Sequence, residues 1–256
     1  MGIIFVHGSG AYGDIWRYQT DYFTNSHAVN LPGHPHGQTL NSVEECADWL
    51  RKYIQGRGYK DVVLVGHSLG GAIVLMYALR YPQDLRGIIV ISSGARLRVH
   101  PRYLAPCEEA IKGNPQEWNQ IIEEIYRLTP EGYKKEVVEK QKAIGPAVML
   151  NDFLCCDKFD IMDKVQQIKL PALIICGELD VMAPVKYSDY LGAKIANSRV
   201  VIIPQAGHLA LAEKPAAVNK AIEDFINGIS SWVSLAFATR LGICGCLIYQ
   251  AQYSKP

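Results

Sequence analysis

The segment Val65-Gly66-His67-Ser68-Leu69-Gly70-Gly71 joins one apolar run, Val62-Val63-Leu64-Val65, directly to another, Ala72-Ile73-Val74-Leu75-Met76. The first run is short, rich in β-branched residues and ended by glycine, which reads as a buried strand. The second continues to Tyr81, is closed by Pro82, and reads as a helix. A strand that passes into a helix this abruptly must turn sharply, and Ser68 sits at the turn. Gly66-His67-Ser68-Leu69-Gly70 fits the pattern GxSxG, in which the serine occupies a strained turn that lifts its Oγ above the sheet edge. The N–H groups and dipole of the following helix then favour negative charge developing beside that oxygen. A bare GxSxG also occurs as a plain structural turn. Here the strand before it and the small residues Gly70, Gly71 and Ala72 after it favour the chemical reading.

The same alternation extends along the chain. Strand-like runs recur at Ile3 to Val6, Gly87 to Ile91, Leu173 to Cys176 and Arg199 to Ile203. Between them, Ser42 and Glu45 form a capping box ahead of the apolar face Val43, Ala47, Leu50 and Ile54, and Val218, Ile222, Phe225 and Ile226 form a late apolar stripe. Strands separated by helices imply parallel βαβ units with right-handed crossovers. From Ala95 to Phe159 this rhythm breaks. That stretch holds Trp118, Ile121, Ile122 and Ile125 at helical spacing, then Val137 and Val138 among charges, with no convincing strand. Pro101, Pro106, Pro115, Pro130 and Pro146 are expected to cut it into short helices. The expected organisation is a core over residues 1–94 and 160–229, a helical insertion over 95–159, and a tail over 230–256.

A chain of 256 residues that is 49% hydrophobic can bury one sizeable core. Lys and Arg number 26 against 25 for Asp and Glu, a balance that argues against disorder and against nucleic acid as a partner. The seven cysteines are odd in number, include the neighbours Cys155 and Cys156, and show no CxxC…CxxC spacing. Reduced thiols, no metal and a cytoplasmic location are expected. Ile3 to Val6 is too short for the apolar centre of a signal peptide. Trp232 to Tyr249 is mostly apolar and approaches the length of a membrane span, with Arg240 near its middle. It reads as a membrane-contacting segment, as an atypical packed helix, or as the product of a shifted reading frame.

Five motifs follow in order: "FVHGSG" at residues 5 to 10, "NLPGHPHGQT" at 30 to 39, "VGHSLGG" at 65 to 71, "PALIICGELDVMAP" at 171 to 184 and "IPQAGHLALAEKP" at 203 to 215. Together they resemble the α/β-hydrolase superfamily, and within it the capped carboxylesterases, over roughly residues 3 to 229. The resemblance implies an α/β-hydrolase fold, a mostly parallel sheet flanked by helices with a helical cap inserted over 95–159, and a serine hydrolase that needs no cofactor. The sequence departs from the pattern twice. Asn30 stands where an acidic residue is usual, and the two strands that usually precede the HGSG strand are missing, so a shortened sheet edge open to pairing is expected.

A serine hydroxyl is a poor nucleophile at neutral pH, so Ser68 requires a base within hydrogen-bond reach, and histidine has the suitable pKa. His208 lies in a Gly-His loop after the run ending at Ile203, and the resemblance puts the catalytic histidine there. Asp180 follows its strand through Gly177-Glu178-Leu179, which sets its carboxylate at the same sheet edge, suited to orienting the histidine. It also reads as a cap for the turn before Pro184, and Glu178 and Asp160 are rival carboxylates. The resemblance assigns the oxyanion donors to the backbone N–H groups of Ser9 and Leu69. The loop His7-Gly8-Ser9-Gly10 otherwise reads as a flexible turn in which Gly8 permits close backbone approach. His7 and the Leu31-Pro32-Gly33-His34 turn read as structural. No carboxylate or cysteine cluster accompanies His34 and His36 in the sequence, so they are not read as metal ligands.

The expected function is hydrolysis of small carboxylic esters through an acyl-enzyme on Ser68, with the insertion roofing an apolar acyl pocket. Trp118, Tyr126 and Phe153 are candidates to line it and equally candidates for the insertion's own core. Carbon–carbon bond hydrolases, perhydrolases and hydroxynitrile lyases use the same scaffold, and some proteins of this fold are ligand receptors with an intact triad, so these alternatives stay open at this level.

Overall fold

The computed structural model describes residues 2–240, with side chains through residue 229. The strands β1 (Gly2–Val6), β2 (Ser26–Val29), β3 (Val62–His67), β4 (Leu85–Ile91), β5 (Ala172–Gly177) and β6 (Ser198–Ile203) form one sheet. Every pairing is parallel, in the spatial order β2-β1-β3-β4-β5-β6. Five strands coincide with apolar runs of the sequence. The sixth, β2, carries only Ser-His-Ala-Val, of which Val29 alone is buried. Four residues with one buried side chain have no readable periodicity; the strand exists because β1 pairs with it from Ile3↔Ser26 to Val6↔Val29. As a result β1 is interior, and the sheet edges are β2 and β6.

The helices, in chain order, are α1 (Arg17–Thr20), α2 (Val43–Gly56), α3 (Leu69–Arg80), α4 (Pro101–Ile111), α5 (Gln116–Ile125), α6 (Glu131–Ile144), α7 (Pro146–Lys158), α8 (Val185–Lys194), α9 (Ala210–Glu213) and α10 (Pro215–Arg240). A parallel sheet covered on both faces requires strands apolar on both faces. All residues of β3 and β5 are accordingly buried. On one face Leu50, Ile73, Leu75 and Leu191 pack against Leu64, Ile88 and Ile174. On the other, Trp16, Val218 and Ile222 meet Phe5, Ile89 and Ile175, and the same cluster continues into Trp118, Met149 and Phe153 of the helices between β4 and β5. The start of α2 follows its capping signal: Ser42 Oγ accepts the Glu45 N–H at 3.1 Å, and Glu45 Oε2 accepts the Asn41 N–H at 2.8 Å.

Prolines set the starts of α4 through α7: Pro101 and Pro146 are first helical residues, and Pro115 and Pro130 immediately precede α5 and α6. Pro106 differs from the expectation, because it lies inside α4 without ending it. The helix forgoes one backbone hydrogen bond there but is held by packing against α5 and α7. Cys46, Cys107, Cys155, Cys156 and Cys176 are free and buried. The backbone of α10 continues to Arg240, and residues 241–256, with half of the apolar stretch Trp232 to Tyr249, lie outside the described residues. Among the described residues no helix is long and apolar enough to cross a membrane.

Candidate active site

All six strands point the same way, so the loops that leave them gather along one sheet edge. At the end of β3, Ser68 adopts φ 53° and ψ −117°, a left-handed conformation costing about 1–3 kcal/mol. The surroundings hold it there. The Ser68 N–H donates to the Ile91 carbonyl at 3.0 Å, while the Ser68 carbonyl accepts from the Gly71 N–H at 2.9 Å and from Ser93 Oγ at 2.8 Å. The turn is tight enough to require glycine on either side. A Cβ on Gly66 would stand 2.1 Å from the Gly70 carbonyl oxygen, and one on Gly70 would stand 2.2 Å from the Val6 carbonyl oxygen.

The loop after β1 lies against this turn: a Cβ on Gly8 would stand 2.9 Å from His67 Nδ1 and 3.1 Å from Ser68 Cβ. Leu69 is the first residue of α3, so the helix leaves its N–H unused. Among the described residues no acceptor takes the Ser9 N–H either. His7, fully buried, donates from Nδ1 to the Gly8 carbonyl at 2.9 Å and accepts the Leu31 N–H on Nε2 at 3.0 Å. Burial, with His34 adjacent, lowers its pKa to about 3, so it is a neutral strut between two loops.

His208 lies beyond β6 and Asp180 beyond β5. The two meet in a bifurcated contact, His208 Nδ1 to Asp180 Oδ2 at 2.9 Å and to Oδ1 at 3.0 Å. Burial alone would raise the Asp180 carboxyl; the charge and hydrogen bond of His208, helped by the Ala183 N–H, outweigh it and hold it below the usual aspartate value. Asp180 Oδ1 also accepts the Met182 and Ala183 N–H groups at 2.9 and 2.8 Å, so this residue caps its turn as well as contacting the histidine. The rival carboxylates are engaged elsewhere. Glu178 Oε2 accepts the Gln205 N–H at 2.9 Å, and Asp160 pairs on the surface with Arg96 and Arg98. Ser68 and His208 line the same two cavities without a hydrogen bond between them.

Two further carboxylates carry this edge, and neither was singled out by sequence reasoning. Asp152 of α7 is buried; its Oδ2 accepts the Gly10 N–H at 2.8 Å and contacts His34 Nε2 at 2.9 Å, binding α7 to the HGSG loop and to the Leu-Pro-Gly-His turn. Burial would lower the His34 pKa, but the hydrogen bond and charge of Asp152 outweigh it and raise it. The sequence offered no sign of this pair, since 118 residues separate its members. Glu213 accepts the Gly207 N–H and, at 3.2 Å, the Leu209 N–H, fastening the chain on both sides of His208. It lies within the last of the five motifs, which was the available signal. His67 donates from Nε2 to the His208 carbonyl at 2.9 Å; burial, with His208 adjacent, lowers its pKa to about 3.

Of the three aromatic candidates, Tyr126 and Phe153 line a cavity beside Ser68. Trp118 stands behind, donating from Nε1 to Met149 Sδ at 3.2 Å. Among the described residues no group of three or more His, Cys, Asp or Glu side chains is placed to hold a metal ion.

A six-stranded parallel sheet carrying a strained serine turn and a buried Asp–His pair at one edge defines a hydrolase of the α/β type. The chain belongs to the alpha/beta hydrolase family, whose family model matches residues 3–221. A relative in Wigglesworthia glossinidia brevipalpis, the pimeloyl-[acyl-carrier protein] methyl ester esterase, is 26% identical over 88% of this chain and 93% of its own. The monoacylglycerol lipase ABHD6 of Bos taurus is 23% identical over 90% of this chain and 76% of its own. A solved thermophilic esterase superposes with a TM-score of 0.76 at 28% identity, covering 89% of this chain and 90% of the other.

Proposed function

We propose that this protein is a serine esterase that cleaves small carboxylic esters through an acyl-enzyme, with Ser68 as nucleophile, His208 as acid and base, and Asp180 as orienting carboxylate. The observation that carries this reading is the Asp180–His208 contact, which engages Nδ1 of an imidazole that lines the same two cavities as Ser68. His208 Nε2 removes the Ser68 proton as Oγ attacks the ester carbonyl, and the N–H groups of Ser9 and Leu69 receive the oxyanion. Collapse of the tetrahedral intermediate breaks the carbon–oxygen bond, and the imidazolium returns its proton to the departing alcohol. Water, deprotonated by His208, then attacks the acyl carbon and releases the acid and Ser68. The helices between residues 95 and 159 act as a cap over this site, anchored to it by Asp152. Named activities of the relatives support ester chemistry while differing in substrate. The buried free thiols fit a reducing cytoplasm.

A fluorophosphonate probe tests the proposal. It is expected to label Ser68 stoichiometrically, and Ser68→Ala is expected to lose labelling and on the order of 10⁶ in turnover of a simple aryl ester while keeping its fold. Labelling of a different residue, or sustained turnover by Ser68→Ala, would reject it.

A further inference from the structure

Two cavities meet at Ser68, and they are unequal. The inner one, about 30 Å³, is lined by Ala11, Ile15, Ile125, Met149, Phe153 and Met182; the outer, about 180 Å³, lies towards Arg98, His100 and Tyr187. A substrate divides at its carbonyl between an acyl part that stays on Ser68 and an alcohol that must leave. The outer cavity suits the departing alcohol. The inner cavity is about one sixth the size of the outer, so the acyl part is the shorter of the two.

The inner wall is not wholly apolar. Gln141 of α6 is buried and lines it, and its Oε1 has no hydrogen-bond partner. Its Nε2 lies 3.6 Å from Met149 Sδ, a sulfur that already accepts from Trp118. A thioether only accepts, so the amide nitrogen belongs on its side and the carbonyl oxygen is the end left unpaired. A Cβ on Gly10 would stand 3.0 Å from Gln141 Nε2, which sets the amide against the HGSG loop, and Ser9 of that loop lines the same cavity. A second atom of the same kind is present. His67 also lines this cavity; its Nε2–H is spent on the His208 carbonyl, and its Nδ1 is buried without a partner. An unpaired buried acceptor is costly, and a purely apolar acyl group would leave both of them so.

We propose that the inner cavity receives a short acyl group bearing a hydroxyl, whose hydrogen Gln141 Oε1 accepts. The substrates would be esters of small hydroxy acids, and the inference rests on the esterase reading above.

The test measures kcat/KM for ethyl acetate, propionate, butyrate and hexanoate against ethyl glycolate, lactate and 3-hydroxybutyrate, each divided by its rate of alkaline hydrolysis. The wild type is expected to prefer acetate and propionate over hexanoate, and each hydroxy ester over its plain counterpart, by about tenfold in both comparisons. Gln141→Leu and Gln141→Met are expected to bring the hydroxy-to-plain ratio close to one, with fluorophosphonate labelling of Ser68 reporting that each variant keeps a folded site. Equal or faster turnover of hexanoate, a wild-type hydroxy-to-plain ratio near one, or a ratio unchanged in both variants would overturn the inference. Should neither variant fold, the wild-type ratios decide it alone. No turnover of any ester, together with no labelling of Ser68, would instead reject the esterase reading and this inference with it.

Discussion

Replacing Asp152 by alanine is expected to damage stability and catalysis together, although Asp152 takes no part in the reaction. Its Oδ2 serves two buried groups, the Gly10 N–H at 2.8 Å and His34 Nε2 at 2.9 Å. A buried donor stripped of its acceptor costs about 1–3 kcal/mol, and breaking a buried pair about 3–5 kcal/mol, so a loss of roughly 3–5 kcal/mol is expected for Asp152→Ala. That is a large part of the roughly 5–15 kcal/mol that stabilises most domains. The Gly10 contact also steadies the loop that presents the Ser9 N–H. Losing an oxyanion donor outright costs about 10²–10³ in rate, so with Ser9 as the proposed donor its loosening is expected to cost about 10- to 100-fold in kcat. In Asp152→Asn the amide oxygen still accepts both hydrogens but carries no charge, and a loss of about 1 kcal/mol is expected. The two proteins should differ in pH response. Asp152 raises the folded pKa of His34 above its ordinary 6.5, so its stabilisation is complete below 6.5 and disappears as pH rises through the folded value. The gap between wild type and Asp152→Asn in urea unfolding should therefore narrow from pH 6 to pH 9. An alanine variant within about 0.5 kcal/mol and twofold of wild type would refute the reasoning.

Two other outcomes follow from the same edge. His7 and His67 have folded pKa values of about 3 against 6.5 in the unfolded chain, so their contribution is complete above 6.5 and is lost as pH falls from there towards 3. At 1.36 kcal/mol per unit the ceiling is about 5 kcal/mol for each, and a denaturation midpoint that stays flat from pH 6.5 to 4.5 would contradict it. Gly70→Ala would drive a Cβ to 2.2 Å from the Val6 carbonyl oxygen, separating α3 from β1. It is expected to lose several kcal/mol and nearly all turnover, as read by thermal unfolding and an aryl ester assay, and near-wild-type values for both would show that the turn is less tight than described.

Most of the sheet and the serine turn were readable from the sequence, since a buried parallel strand announces itself as an unbroken apolar run and a strained turn as glycines around a small residue. The proposed site residues Ser68, His208 and Asp180 each stand in a local motif at a strand end. The strand β2 was hidden because its stability belongs to β1 rather than to its own four residues. The break expected at Pro106 was overruled by packing of α4 against its neighbours.

Short-range chemistry, with a reach of a few residues, therefore specified which elements this chain forms and which side chains stand at their ends. Folding decided what no local pattern encodes: that Asp180 grips His208 as well as its own turn, that Asp152 ties α7 to the HGSG loop, and that Gln141 places an unpaired carbonyl in a cavity of about 30 Å³. Those contacts join residues from 28 to more than 100 positions apart. They depend on crossover connections and helix packing, where a shift of an ångström makes or removes a hydrogen bond while the sequence stays the same.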